Sequence, residues 1–249
     1  QDGQSALTVS NDKTAKIWDA STADCLQTLI QQYSPMGDAV FSPDGRAVLT
    51  TTDAFATIWN VATGYRTHTL SGLSGHTRGV NSAVYSQDGG AVVTASIDKT
   101  AKIWNASTGE CTMTLRGHAD SVASAVFSQG VGDVLTASYD GTAKLWTASG
   151  HLLLTFTGHT DEVLSAVYSK DGASVVTASA DGTAKLWNAV TGECTQTLRG
   201  HTAIVTSVVF SLDIVLTAAD DGTAKIWNLF TGDCIHTFGE GRFMSAVLA

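Results

Sequence analysis

Six tryptophans divide the 249-residue chain almost evenly: Trp18, Trp59, Trp104, Trp146, Trp187 and Trp227, separated by 41, 45, 42, 41 and 40 residues. Counted across the termini, the step from Trp227 back to Trp18 is again 40 residues. A period of about 40 residues marks one supersecondary unit used repeatedly, and such a unit cannot bury its apolar face without neighbours. The units must therefore stack, and a wrap that matches the period suggests that the stack closes on itself. Stacked repeats build extended binding surfaces more often than catalytic pockets.

Composition narrows the function. Apolar residues make up 43% of the chain, enough for a sizeable core, and 24 glycines against 2 prolines leave the turns to glycine. The net charge of −9 argues against a nucleic-acid binder, which would carry a basic stripe, and leaves basic segments of other proteins open as partners. No apolar run reaches the length of about 18 residues that a membrane span needs. The N-terminal Gln-Asp-Gly-Gln has neither a basic nor an apolar leader segment and no initiator Met, so a trimmed chain or an excerpt of a longer one is expected. Cys25, Cys111, Cys194 and Cys234 each follow a tryptophan by seven residues. Equivalent positions on different units cannot come within the roughly 7 Å that a disulfide requires. Four free, packed thiols are expected, and with them a reducing, intracellular and cytoplasmic setting. No Cys or His cluster, phosphate loop or nucleotide fingerprint is present, so neither metal nor cofactor is expected.

Residues 158–199 show what one unit contains. Val163–Tyr168 is β-rich, Asp171-Gly172 is a hairpin signal, Ser174–Ser179 is a second strand, Asp181-Gly182 turns again, Thr183–Trp187 is a third strand, and Thr191-Gly192 leads into Cys194–Leu198, a fourth. No helical periodicity is present. The sequence Asp-Gly-Thr-Ala-Lys-(Ile/Leu)-Trp precedes Trp146, Trp187 and Trp227, and Asp-Lys-Thr-Ala-Lys-Ile-Trp precedes Trp18 and Trp104. Gly-His stands at Gly75-His76, Gly117-His118, Gly158-His159 and Gly200-His201.

These motifs resemble WD repeats over the whole chain, although Trp18-Asp19 is the one literal Trp-Asp pair. The resemblance implies an all-β fold: a six-bladed β-propeller of four-stranded antiparallel blades, in one domain spanning 1–249. The expected blades are 1–30 with 239–249, then 31–72, 73–116, 117–157, 158–199 and 200–238. Joined end to end, Ser245–Ala249 and Gln1–Ser10 align without a gap on Ser165–Ser179. The C-terminal strand is therefore expected to complete blade one and close the ring, removing an exposed sheet edge. Tyr33–Met36 and Gly239–Arg242 replace Gly-His in the second and closing blades.

Each full repeat places a histidine, a serine, an aspartate and a tryptophan in register: His76, Ser96, Asp98 and Trp104; His118, Ser138, Asp140 and Trp146; His159, Ser179, Asp181 and Trp187. A Ser-His-Asp set invites a hydrolase reading, but a triad is needed once and this set recurs in every good repeat. The resemblance implies a buried hydrogen-bond network that ties the loops to the third strand. On that reading blade six, with Ala219 in the serine slot, has an incomplete network, and blades one and two, without the histidine, are the softest. Lys16, Lys102, Lys144, Lys185 and Lys225 are expected to cover apolar surface with their stems and to hold their heads in water.

What varies between repeats is where a partner would bind. The resemblance places docking on the loops entering the first strand and linking the second to the third. The matching residues are Arg78, Asn81, Ile97, Asp120, Tyr139, Asp161, Glu162, Leu164, Thr206 and Asp220. The opposite turns carry Asp2, Asp19, Asp24, Asp44, Asp88, Glu110, Asp133, Asp171, Glu193, Asp213 and Asp233, opposed by Arg46 and Lys170. The expected function is a non-catalytic scaffold or complex subunit that binds other proteins, basic segments among them. A reader of a peptide or modified side chain near Tyr139 is the alternative. A propeller enzyme would need an unrepeated polar cluster, and the sequence has none.

Overall fold

A computed structural model describes residues 4–32, 34–130, 132–211 and 214–239. The described residues form strands joined by turns, with no helix. The first repeat gives β1 (Ser5–Val9), β2 (Thr14–Asp19) and β3 (Cys25–Ile30), and the second gives β4 (Ala39–Phe41), β5 (Ala47–Thr51), β6 (Ala56–Asn60) and β7 (Arg66–Leu70). The third gives β8 (Val80–Tyr85), β9 (Ala91–Ser96), β10 (Thr100–Asn105) and β11 (Cys111–Arg116), and the fourth β12 (Val122–Phe127), β13 (Val134–Ser138), β14 (Ala143–Trp146) and β15 (Leu152–Phe156). The fifth gives β16 (Val163–Tyr168), β17 (Ser174–Ser179), β18 (Thr183–Asn188) and β19 (Cys194–Arg199), and the sixth β20 (Val205–Ser211), β21 (Ile214–Ala219), β22 (Thr223–Asn228) and β23 (Cys234–Gly239). Every repeat is one antiparallel meander, six sheets in all, matching the expected six blades. Five sheets are four-stranded. The first has three strands, and its expected fourth, 245–249, lies outside the described residues, as do Asp2, Tyr33 and Asp213.

The chain divides into two compact units, 1–117 with the first three sheets and 118–249 with the last three. Within each, the core lies between consecutive sheets, and a tryptophan fills each gap. In the first unit Trp59 packs on Ile17, Leu29 and Val48, and Trp104 on Leu49, Ile58 and Leu70. In the second, Trp187 packs on Leu135, Leu145 and Phe156, and Trp227 on Val176, Leu186 and Leu198. Each indole thus belongs to one sheet and is buried against the sheet before it. Burying roughly 200 Å² of ring stabilises by about 5 kcal/mol before entropy is counted. Within each unit this accounts for the regular beat: each of these four gaps takes one large flat side chain. In blade two, Met36 occupies this layer beside Val48 and Trp59, where other repeats bring in Gly-His.

A second device joins consecutive sheets. Within each unit, a residue near the middle of an outer strand (Gln27, His68, Leu154 and Gln196) lies under the glycine turn of the next blade. A Cβ on Gly64 would meet Gln27 Cδ at 2.8 Å, and one on Gly232 would strike the Gln196 carboxamide. Both glycines also sit at positive φ, 70° and 76°, which disfavours any side chain there.

Candidate functional site

The repeated polar residues come together, but not in the expected order. His159 Nδ1 lies 2.7 Å from Asp181 Oδ2, and His159 Nε2 lies 2.7 Å from Thr177 Oγ1. Trp187 Nε1 donates to the same Thr177 oxygen at 2.8 Å. Thr94, Thr136 and Thr217 occupy the same place with His76, His118 and His201 and with Trp104, Trp146 and Trp227. A threonine of the second strand, not the serine, therefore links tryptophan to histidine. Blade six is correspondingly complete: His201, Asp221, Thr217 and Trp227 are bonded as elsewhere, despite Ala219. The expectation of a broken network there was tied to the serine and is corrected.

The serines do something else. Ser138 Oγ donates to Asp120 O at 3.2 Å and Ser179 Oγ to Asp161 O at 3.3 Å, and each accepts the amide of the aspartate two residues on. In blade three Ser96 does the same for Arg78 O and the Asp98 amide. They staple the incoming loop to the loop between the second and third strands.

Burial pushes the four histidines down, against the pull of their aspartates, so each is neutral. Burial pushes the aspartates up, but hydroxyl, amide and histidine donors outweigh it. Asp140 and Asp181 settle at about 2, and Asp98 and Asp221 are also lowered. A neutral imidazole beside a carboxylate carries its proton on Nδ1. Nε2 then accepts the threonine hydroxyl, and the threonine oxygen accepts the indole N–H. The connectivity is that of a Thr-His-Asp triad. Its hydroxyl, however, is 0–1% exposed in all four blades and already engaged by tryptophan, so no substrate atom can reach it.

Two further expectations change. The lysine heads do not simply sit in water: Lys102, Lys144, Lys185 and Lys225 Nζ donate to Thr114, Thr155, Thr197 and Thr237 Oγ1 on the outer strand at 2.9–3.1 Å, and Lys102 and Lys144 are buried. The thiols are free but not packed: Cys25, Cys194 and Cys234 are exposed and Cys111 is half-buried, because each opens an outer strand. On the opposite turns, Asp19, Asp44, Asp88 and Asp171 accept amides two residues ahead, and hydroxyl donors lower them first, so these acids shape the turns they sit in.

The variable loop residues separate by unit. In the first, Arg78, Asn81 and Ile97 are exposed around blade three, Ile97 by 40%. In the second, Asp120, Tyr139, Asp161 and Asp220 are exposed, while Glu162, Leu164 and Thr206 are half-buried. Main-chain bonds hold the loops together in pairs: Tyr139 N to Ser121 O, Ala180 N to Glu162 O and Asp220 N to Ile204 O, each 2.9 Å. Asn81, Leu164 and Thr206 are the extra residues of β-bulges, where the first strand slips against the second between Val80 and Ser82, Val163 and Ser165, and Val205 and Ser207. Bulges re-aim a side chain at functional edges. Tyr139 is raised by burial and by the Glu162 charge. Ile204, 39% exposed, belongs to this face and was missed. It breaks the pattern at the slot held by Ser121 and Glu162, a signal the sequence offered.

Among the described residues no group of His, Cys, Asp or Glu could hold a metal ion, and no helix is long and apolar enough to cross a membrane. The family described as WD domain, G-beta repeat matches residues 65–105, 109–147, 150–188 and 192–228, more than half of the chain. The chain belongs to the WD40 family. This WD40 chain is 32% identical over 119 residues to the DENN domain and WD repeat-containing protein SCD1 of Arabidopsis thaliana, covering 47% of the chain and 10% of that protein. It is 29% identical over 121 residues to the COMPASS component SWD3 of Saccharomyces cerevisiae, covering 48% and 37%. It is 35% identical over 143 residues to the nuclear distribution protein PAC1 of Arthroderma benhamiae, covering 47% and 30%. The aligned stretches thus span well under half of these relatives' own length.

Proposed function

We propose that this WD40 chain is a non-catalytic scaffold that docks a segment of another protein, one bearing basic residues beside an apolar one, on the loops of residues 118–249. The observation that carries this is the composition of that face. Tyr139 and Ile204 sit on loops and Leu164 on a bulge, held by serine staples in blades four and five and by main-chain bonds in blades four to six, among Asp120, Asp161, Glu162 and Asp220. The loop segments 118–121, 139–142, 159–162, 180–182, 201–204 and 220–222 carry no lysine or arginine. A rigid aromatic with aliphatic neighbours and a charged rim suits a binding hot spot, and a cation beside Tyr139 gains from both its ring and Glu162. Tyr139 is the lone aromatic on these loops, so a broad rim is favoured over an aromatic cage for a modified side chain. The names of the relatives, a COMPASS component among them, support a place in a larger assembly.

We further propose that residues 1–249 form one domain in which 245–249 adds to β1. The binding proposal is tested on an array of basic and acidic peptides. Tyr139→Ala and Leu164→Ala should each weaken the tightest basic peptide about tenfold, and added salt should weaken it further. Salt-insensitive binding, or binding that both variants leave unchanged, removes the reading.

A further inference from the structure

The far side of blades five and six holds a feature that the scaffold does not need. A groove of about 830 Å³ opens between them, with Leu186, Phe210, Leu229 and Phe230 as its apolar wall and Lys170 and Gln196 among its polar lining. Phe230 is 83% exposed. It stands at a turn slot that holds Ala62 in blade two, Ser107 in blade three and Val190 in blade five, so the turn itself places no demand for an aromatic ring.

The turn that carries the ring is closed by hydrogen bonds. The Phe230 and Thr231 amides donate to Asn228 Oδ1 at 2.8 and 3.1 Å, and the Gly232 amide to Asn228 O at 2.8 Å. Beneath it, the Gly232 backbone rests on Gln196 in the groove wall. A hydrogen-bonded turn above an apolar groove presents its aromatic with the backbone's ordering entropy settled before a partner arrives.

Charge selects the occupant. Asp171 lines the groove, kept ionised by the Ser169 hydroxyl and the Ala173 amide. Asp233 directly follows Gly232, and Glu193 lies two residues before Thr195 in the groove wall. All three are exposed, against the single cation Lys170. We propose that this groove is a second docking surface, independent of the loop face, and that it receives an extended segment of a partner protein whose aromatic or leucine anchor is flanked by lysine or arginine. The anchor packs on Phe230, Phe210 and Leu186, and the flanks meet Asp171, Glu193 and Asp233.

The test uses the 249-residue protein and a dye-labelled probe peptide with a central Leu-Trp pair between two Arg-Lys pairs, read by fluorescence anisotropy. Two comparison peptides carry acidic flanks or a Ser-Ser centre. Phe230→Ser should weaken the probe at least about tenfold, with an unchanged melting temperature because the side chain is exposed. Glu193→Gln with Asp233→Asn should weaken it about threefold and flatten its salt dependence. Tyr139→Ala should leave it unchanged, which separates this surface from the loop face. The proposal is overturned if the wild-type protein does not bind the probe, if the acidic peptide binds as tightly, or if Phe230→Ser has no effect. Self-association that Phe230→Ser abolishes would assign the groove to a second copy and overturn it equally.

Discussion

Threonine, not serine, is the hinge of each blade's polar network. Thr177 accepts the Trp187 indole and donates to His159, whereas Ser179, equally buried, joins two loops. Thr177→Val leaves a buried indole N–H and a buried imidazole nitrogen unpaired, and should cost about 2–3 kcal/mol. Ser179→Ala should cost about 1 kcal/mol. Chemical denaturation of the two variants checks the order, and a larger loss from Ser179→Ala would contradict it. The same network fixes the acid response. The histidines are lowered on folding, so the unfolded chain binds protons more readily below its value of 6.5, and stability present above that value is lost as pH falls. The lowered aspartates act in the same direction from 3.8 down towards 2. Melting temperature should therefore decline steadily on acidification below 6.5, and a rise would contradict a neutral imidazole. The threonine was legible: Thr8, Thr50, Thr94, Thr136, Thr177 and Thr217 recur in all six repeats, while the serine slot becomes Thr51 and Ala219 in two. Which hydroxyl faces the histidine depends on strand register, and that is why the serine was favoured from sequence.

Strands and turns were read well because each has a local cause. Asp-Gly and Thr-Gly pairs set the hairpins, and alternating small and branched residues fit sheets stacked on both faces. What escaped was the relation between elements. The bulges at Asn81, Leu164 and Thr206 have no local signature, since a one-residue slip shows only when two strands pair. The lysine heads reach a threonine on the adjacent strand, 11 or 12 residues away in sequence. The cysteines lie at the start of outer strands, and their exposure follows from strand order, not from residue type. The groove of blades five and six arises where Phe210 of one blade meets Gln196 of the other. Phe230, not singled out from the sequence, did carry a signal there: it is an aromatic in a turn slot filled elsewhere by small residues or valine.

At the scale of the molecule, the last described strand and the first each carry a signal about what lies beside them. In the second unit, Phe238 on β23 is 49% exposed, where Phe156 and Leu198 in the same slot are 1% exposed. In the first, β1 pairs with β2 alone among the described residues. The sequence alignment of 245–249 with 165–169, a first strand and the residue after it, is the basis for the proposal that 245–249 adds to β1. Further repeats of a longer array would serve Phe238 equally, so closure is the claim that most needs measurement. The direct comparison is thermal unfolding of the 249-residue chain against one ending at residue 238. Closure predicts that removing residues 239–249 lowers the melting temperature by about 10 °C, the effect of losing a few kcal/mol in a domain of this size, and an unchanged melting temperature would contradict it.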